Sequence, residues 1–172
     1  ADRLPCVEWA SWWDLTIKRW LEEGLPTGMN GVETMKYFGL DPLVQQWFGS
    51  CTGPLPQPQS FGGPILSTME EYVKYHDQKS LHNAEAIRWD MYDRYQKEHE
   101  NGDVAFWMTF EGFFWFPRTM LGIEPHLYSF YDQPELLNRM NRDQTDFCLQ
   151  VLEKVTKHHD IEFMTLAEDM SY

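Results

Sequence analysis

The sequence is short of three features that would each point to a class of protein: paired cysteines, basic residues and long apolar runs. Cys6, Cys51 and Cys148 are odd in number and widely spaced, which favours free thiols in a reducing compartment over a disulfide framework. Lysine and arginine number 14 against 27 acidic residues, for a net charge of −13. Nucleic acids and anionic membrane surfaces both require a basic face, so neither is an expected partner.

No apolar run approaches the roughly 18 residues of a membrane-spanning helix. The first residues lack the basic and apolar regions of a secretory signal, so the expected location is the cytoplasm. Glycine-rich phosphate loops, nucleophile elbows and HExxH pairs are also missing. The adjacent His158 and His159 do not share a helix face and are expected to cap a helix rather than to bind a metal.

Aromatic residues, by contrast, are abundant, with eight tryptophans, eight tyrosines and eleven phenylalanines in 172 residues. A chain of this length forms a single domain, here residues 1–172, with a substantial core. So many large rings predict the wall of a pocket or a broad interface, although core packing could also use them.

The most informative stretch is 103–121. An apolar run rich in β-formers, 104–110, ends at Glu111 and Gly112, and the aromatic block 113–116 follows it. A buried strand that ends at a carboxylate and turns through glycine into a helix is how βα units build the edge of a site.

The remaining pattern alternates strands with helices. Strands are predicted at 3–9, 104–110 and 161–169; helices at 11–24, 31–38, 41–48, 67–76, 81–100 and 132–159; and an irregular Pro/Gly-rich break at 53–64. Strands joined through helices pair in parallel, so the predicted class is α/β.

Several phrases together resemble the uroporphyrinogen decarboxylase-like (URO-D) superfamily, which includes corrinoid-linked methyltransferases. They are Arg3-Leu-Pro-Cys-Val-Glu-Trp9, Tyr37-Phe-Gly-Leu-Asp41, Gly112-Phe-Phe-Trp115, Met120-Leu-Gly122, Tyr128-Ser-Phe-Tyr-Asp-Gln-Pro-Glu-Leu-Leu137 and Ile161-Glu-Phe-Met-Thr-Leu-Ala-Glu-Asp-Met170. The resemblance implies a (β/α)8 TIM-type barrel, with the present chain supplying its first half, either as a segment of a longer protein or as a truncated variant.

The departures from the family pattern are informative. The turn at 10–14 lacks the two arginines that hold substrate carboxylates, 44–48 lacks the family aspartate, and the family tyrosine falls at Met120. These differences argue against uroporphyrinogen decarboxylation proper. The family's zinc ligands come from the later half of the barrel, so zinc or a corrinoid stays open as a cofactor.

Four carboxylates are the candidate catalytic groups: Glu8, Glu111, Glu168 and Asp169. Each lies at or just past the end of a predicted strand, and in a barrel all four would face one mouth. Burial among aromatic rings would raise the pKa of such a group and suit it to proton transfer. The alternative is that each is a solvated acid or a helix cap.

The candidate substrate-binding residues are an arginine and a set of rings. Arg118 could bind a carboxylate or phosphate in a bidentate manner, or pair with a nearby acid instead. The rings could line a flat pocket or simply pack; they are Trp9, Trp12, Phe114, Trp115 and Tyr172.

The functional hypothesis is an enzyme, a lyase or a methyltransferase, that acts on a small carboxylated or tetrapyrrole-related ligand. The reaction would be proton-assisted decarboxylation or methyl transfer with a corrinoid protein as partner. The competing hypothesis is a non-catalytic protein that uses its aromatic pocket to bind a ligand or to self-associate as a homo-oligomer.

Overall fold

A computed structural model describes residues 3–168 of the chain. Within this range seven helices and three strands are formed. They are α1 (Asp14–Glu23), α2 (Gly31–Tyr37), β1 (Leu43–Phe48), α3 (Met69–Asp77), α4 (Asp90–Glu100), β2 (Ala105–Glu111), α5 (Trp115–Leu121), α6 (Ile123–Asp132), α7 (Pro134–Thr156) and β3 (Phe163–Ala167). No helix in this part of the chain combines the length and apolarity needed to cross a membrane.

The three strands form one parallel sheet in the order β1-β2-β3. The register places Trp107 opposite Phe163 and Glu111 opposite Ala167. Helices α3 and α4 connect the first pair of strands, and α5 to α7 connect the second pair. The predicted α/β class is therefore confirmed.

One face of the sheet packs on α4 and α7. The alternate side chains that point to this face are buried, among them Phe48, Phe106 and Phe110. Tyr92 of α4 and Phe147 of α7 complete the cluster and are fully buried. This alternation explains why β1 and β2 are strands, because a two-residue period places one apolar face on the helices.

A second apolar cluster lies beyond the carboxyl ends of the strands. It joins α3, α5 and the first half of α7 to the loop before α3, and its buried members are Leu66, Tyr72, Leu81, Phe116, Met120, Leu121, Leu136, Leu137 and Met140. Helix α7 is thus shared, with its first half in this cluster and its second half under the sheet.

The other face of the sheet carries a hydrogen-bonded polar ladder. Gln45 Nε2 donates to Thr109 Oγ1 at 2.9 Å, and the two threonine hydroxyls, Thr109 and Thr165, lie 3.0 Å apart. Trp107 Nε1 donates to Thr165 Oγ1 at 3.1 Å. Thr109 is buried, so these bonds satisfy hydroxyls that would otherwise be costly to bury.

Strand β3 is not covered as the other two strands are. Met164 and Leu166 point to the helix side, yet 48% and 42% of their surfaces are exposed. The corresponding residues of the middle strand, Met108 and Phe110, are fully buried. Along β3, the apolar face of the sheet therefore stays open.

Two elements predicted from the sequence are wrong. Residues 43–48 form a strand and not a helix, although Asp41-Pro42 looks like a helix start. Val44 and Phe48 fall on one face of this strand and lie opposite Phe106 and Phe110 of β2. Residues 3–9 form no strand. Their exposed side chains give no apolar face to bury, and they are tied to the fold at Asp41, whose carboxylate pairs with Arg3 and accepts from the Cys6 amide at 2.8 Å.

Two predicted helices begin later in the chain than the sequence indicates. The helix predicted from Ser11 begins at Asp14, because the N-cap is Trp13 and no side chain caps it. The helix predicted over 81–100 begins at Asp90. In contrast, α2, α3 and α7 lie close to their predicted ranges.

Because one face of α7 is buried, we expect substitutions at its buried and exposed positions to change the free energy of unfolding by very different amounts. We expect Phe147→Ala to lower the free energy of unfolding by about 3–5 kcal/mol, because a fully buried ring is replaced by a cavity. Leu149→Ala on the same helix is the control, since Leu149 is 58% exposed, and its effect should stay within about 0.5 kcal/mol. Urea unfolding followed by circular dichroism measures both, and equal effects would contradict the packing described.

Candidate functional site

The carboxyl ends of the three strands meet in one region, which we call the strand-end cluster: Ser50, Glu111, Gln144 and Glu168. Ser50 follows β1, Glu111 ends β2 and Glu168 follows β3. In parallel α/β sheets this edge is where ligands bind.

Glu111 is the carboxylate in this cluster best suited to chemistry. Its Oε2 accepts from the Ser50 amide at 2.9 Å, which fixes the side chain. Among residues 3–168, no hydrogen-bond donor lies against its Oε1, and the residue is only half-buried. One oxygen is therefore held and the other is available for proton transfer.

The cluster is organised by Gln144, a fully buried amide on α7. Its Nε2 donates to the Glu111 carbonyl at 2.6 Å, and its Oε1 accepts from Ser50 Oγ at 2.7 Å. His82 Nε2 lies 2.9 Å from the same Oε1. Because an amide oxygen only accepts, His82 is assigned the tautomer with the proton on Nε2.

His82 is held in a demanding position. Its φ of 55° lies in the left-handed region, which few side chains adopt. Its ring packs edge-on to Phe116 with centroids 4.6 Å apart. Burial lowers the pKa of His82 to about 4, with the Gln144 bond acting in the opposite direction. The imidazole is therefore neutral at neutral pH.

An ion-paired carboxylate extends this network towards the surface. Asp143 accepts from Tyr72 Oη at 2.8 Å, and Arg139 Nε lies 2.8 Å and 3.0 Å from its two oxygens. Burial raises the pKa of Tyr72, and the bond to Asp143 adds to the rise. Tyr72 therefore acts as a neutral donor and not as a base.

A thiol adjoins the cluster but is not poised as a nucleophile. Cys148 Sγ lies 3.6 Å from Gln144 Nε2. Burial raises the pKa of Cys148 to about 12, and the charge of Glu111 acts in the same direction. A nucleophilic cysteine needs the opposite shift.

Glu168 is a structural cap. Its carboxylate accepts from the amides of Phe113, Phe114 and Trp115 at 2.7, 2.8 and 3.2 Å, which are donors at the start of α5. A Cβ built on Gly112 would lie 2.1 Å from Glu168 Cδ, so only glycine fits beside it. The geometry of Glu168 is therefore that of a helix cap, which is the alternative to a catalytic role.

The aromatic residues that follow β2 lie in two different places, Trp115 beside Trp47 and Phe114 beside α6. Trp115 lies 6.4 Å from the half-exposed ring of Trp47, and the Arg118 guanidinium sits 4.6 Å above the Trp115 ring centroid. Phe114 instead packs edge-on to His126 of α6 at 4.6 Å. Trp115 and Arg118 therefore stay near the strand ends, while Phe114 serves packing.

The other predicted residues lie in a separate cavity of about 460 Å³, here called the edge pocket. Glu8, Trp9 and Trp12 line it, together with Arg94 of α4 and Trp107 of β2. The expectation that Glu8 shares one mouth with Glu111 and Glu168 is therefore not met. Asp169 and Tyr172 lie outside the described residues.

No set of three or more His, Cys, Asp or Glu side chains within residues 3–168 could hold a metal ion. The histidine pair predicted to cap a helix directly follows Lys157, the C-cap of α7, and its amides donate to the Val155 carbonyl at 3.0 and 2.9 Å, while its side chains make other contacts. His159 is buried, with its ring nitrogens 2.6 Å from Gln96 Oε1 and 3.0 Å from Asp93 Oδ1. His158 stacks on Trp89 at 5.6 Å.

Sequence reasoning missed Ser50, His82, Gln144 and Arg94. Only Gln144 carried a usable signal. It falls on the apolar stripe of α7, between Met140 and Phe147, and a lone polar residue in such a stripe must find buried partners. The other three depend on long-range contacts that no local pattern encodes.

Comparisons with known proteins leave the chain without an assigned family. No family model matches it, and neither the curated proteins nor the solved structures contain a significant match.

The cap geometry predicts a loss of stability on removing Glu168. We expect Glu168→Ala to lower the free energy of unfolding by about 1–3 kcal/mol, because three amide donors at the start of α5 lose their acceptor. Glu22→Ala, at an exposed position of α1, is the control and should change it by less than about 0.5 kcal/mol. Urea unfolding measures both; a Glu168→Ala variant as stable as this control would refute the cap.

His82 predicts a specific pH dependence. Its folded pKa of about 4 lies below the ordinary value of 6.5, so the unfolded chain binds more protons between these values. Stability should therefore be complete above pH 6.5 and fall as the pH drops towards 4, by at most about 3 kcal/mol from this group.

His82→Asn tests this dependence, because asparagine tolerates the left-handed backbone but does not titrate. Unfolding free energies measured at pH 7, 6, 5 and 4 should fall less steeply for the variant than for the parent. Identical slopes would show that His82 does not titrate as described.

Proposed function

We propose that the chain forms part of a β/α-barrel enzyme of the URO-D type, acting on a small carboxylated or tetrapyrrole-related ligand. Glu111 is the acid–base residue in this proposal. This proposal rests on the hydrogen bonding of the Glu111 carboxylate at the end of the middle strand. One of its oxygens accepts from the Ser50 amide, and the other has no hydrogen-bond donor among residues 3–168.

The order of the strands supports a barrel. In the sheet, each strand lies beside the strand that precedes it in the chain, in the order β1-β2-β3. A singly wound barrel requires this order, whereas in doubly wound sheets the order of the strands reverses at one point. The open helix-side face of Met164 and Leu166 is also the surface that further barrel helices would cover.

For decarboxylation, the role of Glu111 is to manage one proton. The bond from carbon to the departing carboxylate breaks, carbon dioxide leaves, and the electron pair stays on carbon. The Glu111 acid then protonates this carbon, and solvent restores its proton. Trp47 and Trp115 would flank the reacting group, and the Arg118 guanidinium over Trp115 would orient a carboxylate.

Methyl transfer is the alternative reaction within the same proposal. A corrinoid partner would supply or accept the methyl group, and Glu111 would move the proton of the acceptor. Zinc, which some relatives of the proposed family use, would need ligands beyond those within 3–168, where no suitable set exists. The free state of Cys6, Cys51 and Cys148 fits a reducing compartment, and the cytoplasm is the location we propose.

Two probes test the proposal on the full chain. Pyrrole-3-acetic acid reports decarboxylation through released carbon dioxide, and methylcobalamin with a thiol acceptor reports methyl transfer through the absorbance of the cobalamin. We expect turnover with one of them and at least about 100-fold less with Glu111→Gln, because general acid–base catalysis contributes on this scale.

Glu22→Gln, an exposed carboxamide substitution on α1, is the matched control and should retain full turnover. Absence of turnover with both probes, or equal turnover in the parent and Glu111→Gln, would overturn the proposal. Circular dichroism of each variant separates loss of chemistry from loss of fold.

A further inference from the structure

We propose that the edge pocket is a binding site for a planar aromatic carboxylate of one or two rings. It is distinct from the strand-end cluster, and the inference does not depend on the proposed reaction. Four parts of the chain enclose it: the segment after Glu8, the start of α2, helix α4 and the β1 edge of the sheet. Its volume of about 460 Å³ lies in the lower part of the range of roughly 300–1,000 Å³ for small-molecule sites.

The walls of the edge pocket are aromatic and held in place. Trp12 packs edge-on to Trp20 at 5.3 Å and to Phe38 at 6.1 Å. The Trp107 indole is fixed by its bond to Thr165, and Tyr95 Oη donates to Asn30 Oδ1 at 3.1 Å. Since these side chains are already oriented, little entropy is lost when a flat ligand enters.

One residue of the pocket, Arg94, favours an anionic group on the ligand. Arg94 lies on α4 at its rim, is exposed, and has no carboxylate within ion-pair distance among residues 3–168. Three tryptophans, Trp9, Trp12 and Trp107, line the same pocket as this arginine. Its planar guanidinium matches a carboxylate in a bidentate manner.

Glu8 adds a polar contact within the same pocket. It is half-buried, and its Oε1 accepts only a long 3.3 Å bond from the Ala10 amide two residues away. This carboxylate can accept from an N–H or O–H on the ring of the ligand. The preferred ligand is therefore a flat ring that carries both a carboxylate and an N–H or O–H donor, such as an indole or pyrrole carboxylate.

Isothermal titration calorimetry with indole-3-acetate and its neutral analogue indole-3-acetamide tests the site on the full chain. We expect the acetate to bind at least about tenfold more tightly than the acetamide. Arg94→Gln should remove this preference without affecting the fold, because Arg94 is exposed. Lys97→Gln, which removes one positive charge from the same helix, should keep it.

A second variant tests the walls. Trp9 is 71% exposed, so Trp9→Ala should fold normally and weaken both ligands about equally. Glu111→Gln should bind both as the parent does, which separates this site from the proposed reaction. Absence of acetate binding at millimolar concentration, or retention of the preference in Arg94→Gln, would overturn the assignment.

Discussion

The buried amide of Gln144 is the interaction on which the carboxyl end of the sheet depends. It satisfies two side chains and one backbone carbonyl from three different segments, namely Ser50, His82 and Glu111. Each of these groups is buried or half-buried, so removing the amide would leave several unpaired polar atoms at once. The loop after β1, the loop before α4 and the end of β2 are therefore positioned by one residue of α7.

The same helix explains why the two apolar clusters behave as one structure. Its second half lies under the sheet and its first half packs with α3 and α5. Gln144 stands at the junction, where an apolar side chain could not hold the strand ends. Glu168 provides the complementary tie from β3 to the start of α5. Together the two residues fix the geometry around Glu111 from both sides.

The sequence predicts those parts of the fold whose pattern is local. Strand β2 is an uninterrupted apolar run and α7 is a long amphipathic one, so the sequence predicts the bounds of both to within a few residues. The sequence wrongly predicts a helix at β1 because Asp41-Pro42 resembles a helix start, and the two-residue period of this strand becomes evident only when it pairs with β2. Tertiary context overrides local signals in this way.

The site was less accessible to prediction than the fold. The sequence places Glu111 at the end of a buried strand, and the structure has it at the end of β2; its catalytic role stays a prediction. The role of Glu168 could not be read from its own surroundings, since its partners are the amides of Phe113, Phe114 and Trp115, more than fifty residues earlier. A carboxylate after a strand has the same local appearance whether it serves chemistry or caps a helix.

The two candidate sites share one face of the sheet, and this constrains how they could work together. Trp107 lines the edge pocket, while Thr109 and Glu111 follow it on the same side of β2. Four residues of strand span about 13 Å, so a bicyclic acid seated against Trp107 does not reach the Glu111 carboxylate.

Only a longer ligand would contact both sites, with its ring in the edge pocket and its reacting group at the strand ends. The polar ladder of Gln45, Thr109 and Thr165 lies between them and would face the body of such a ligand. In the two proposals, recognition of the ring and proton transfer fall at different ends of one surface, so substitutions at Arg94 and at Glu111 are expected to change binding and turnover separately.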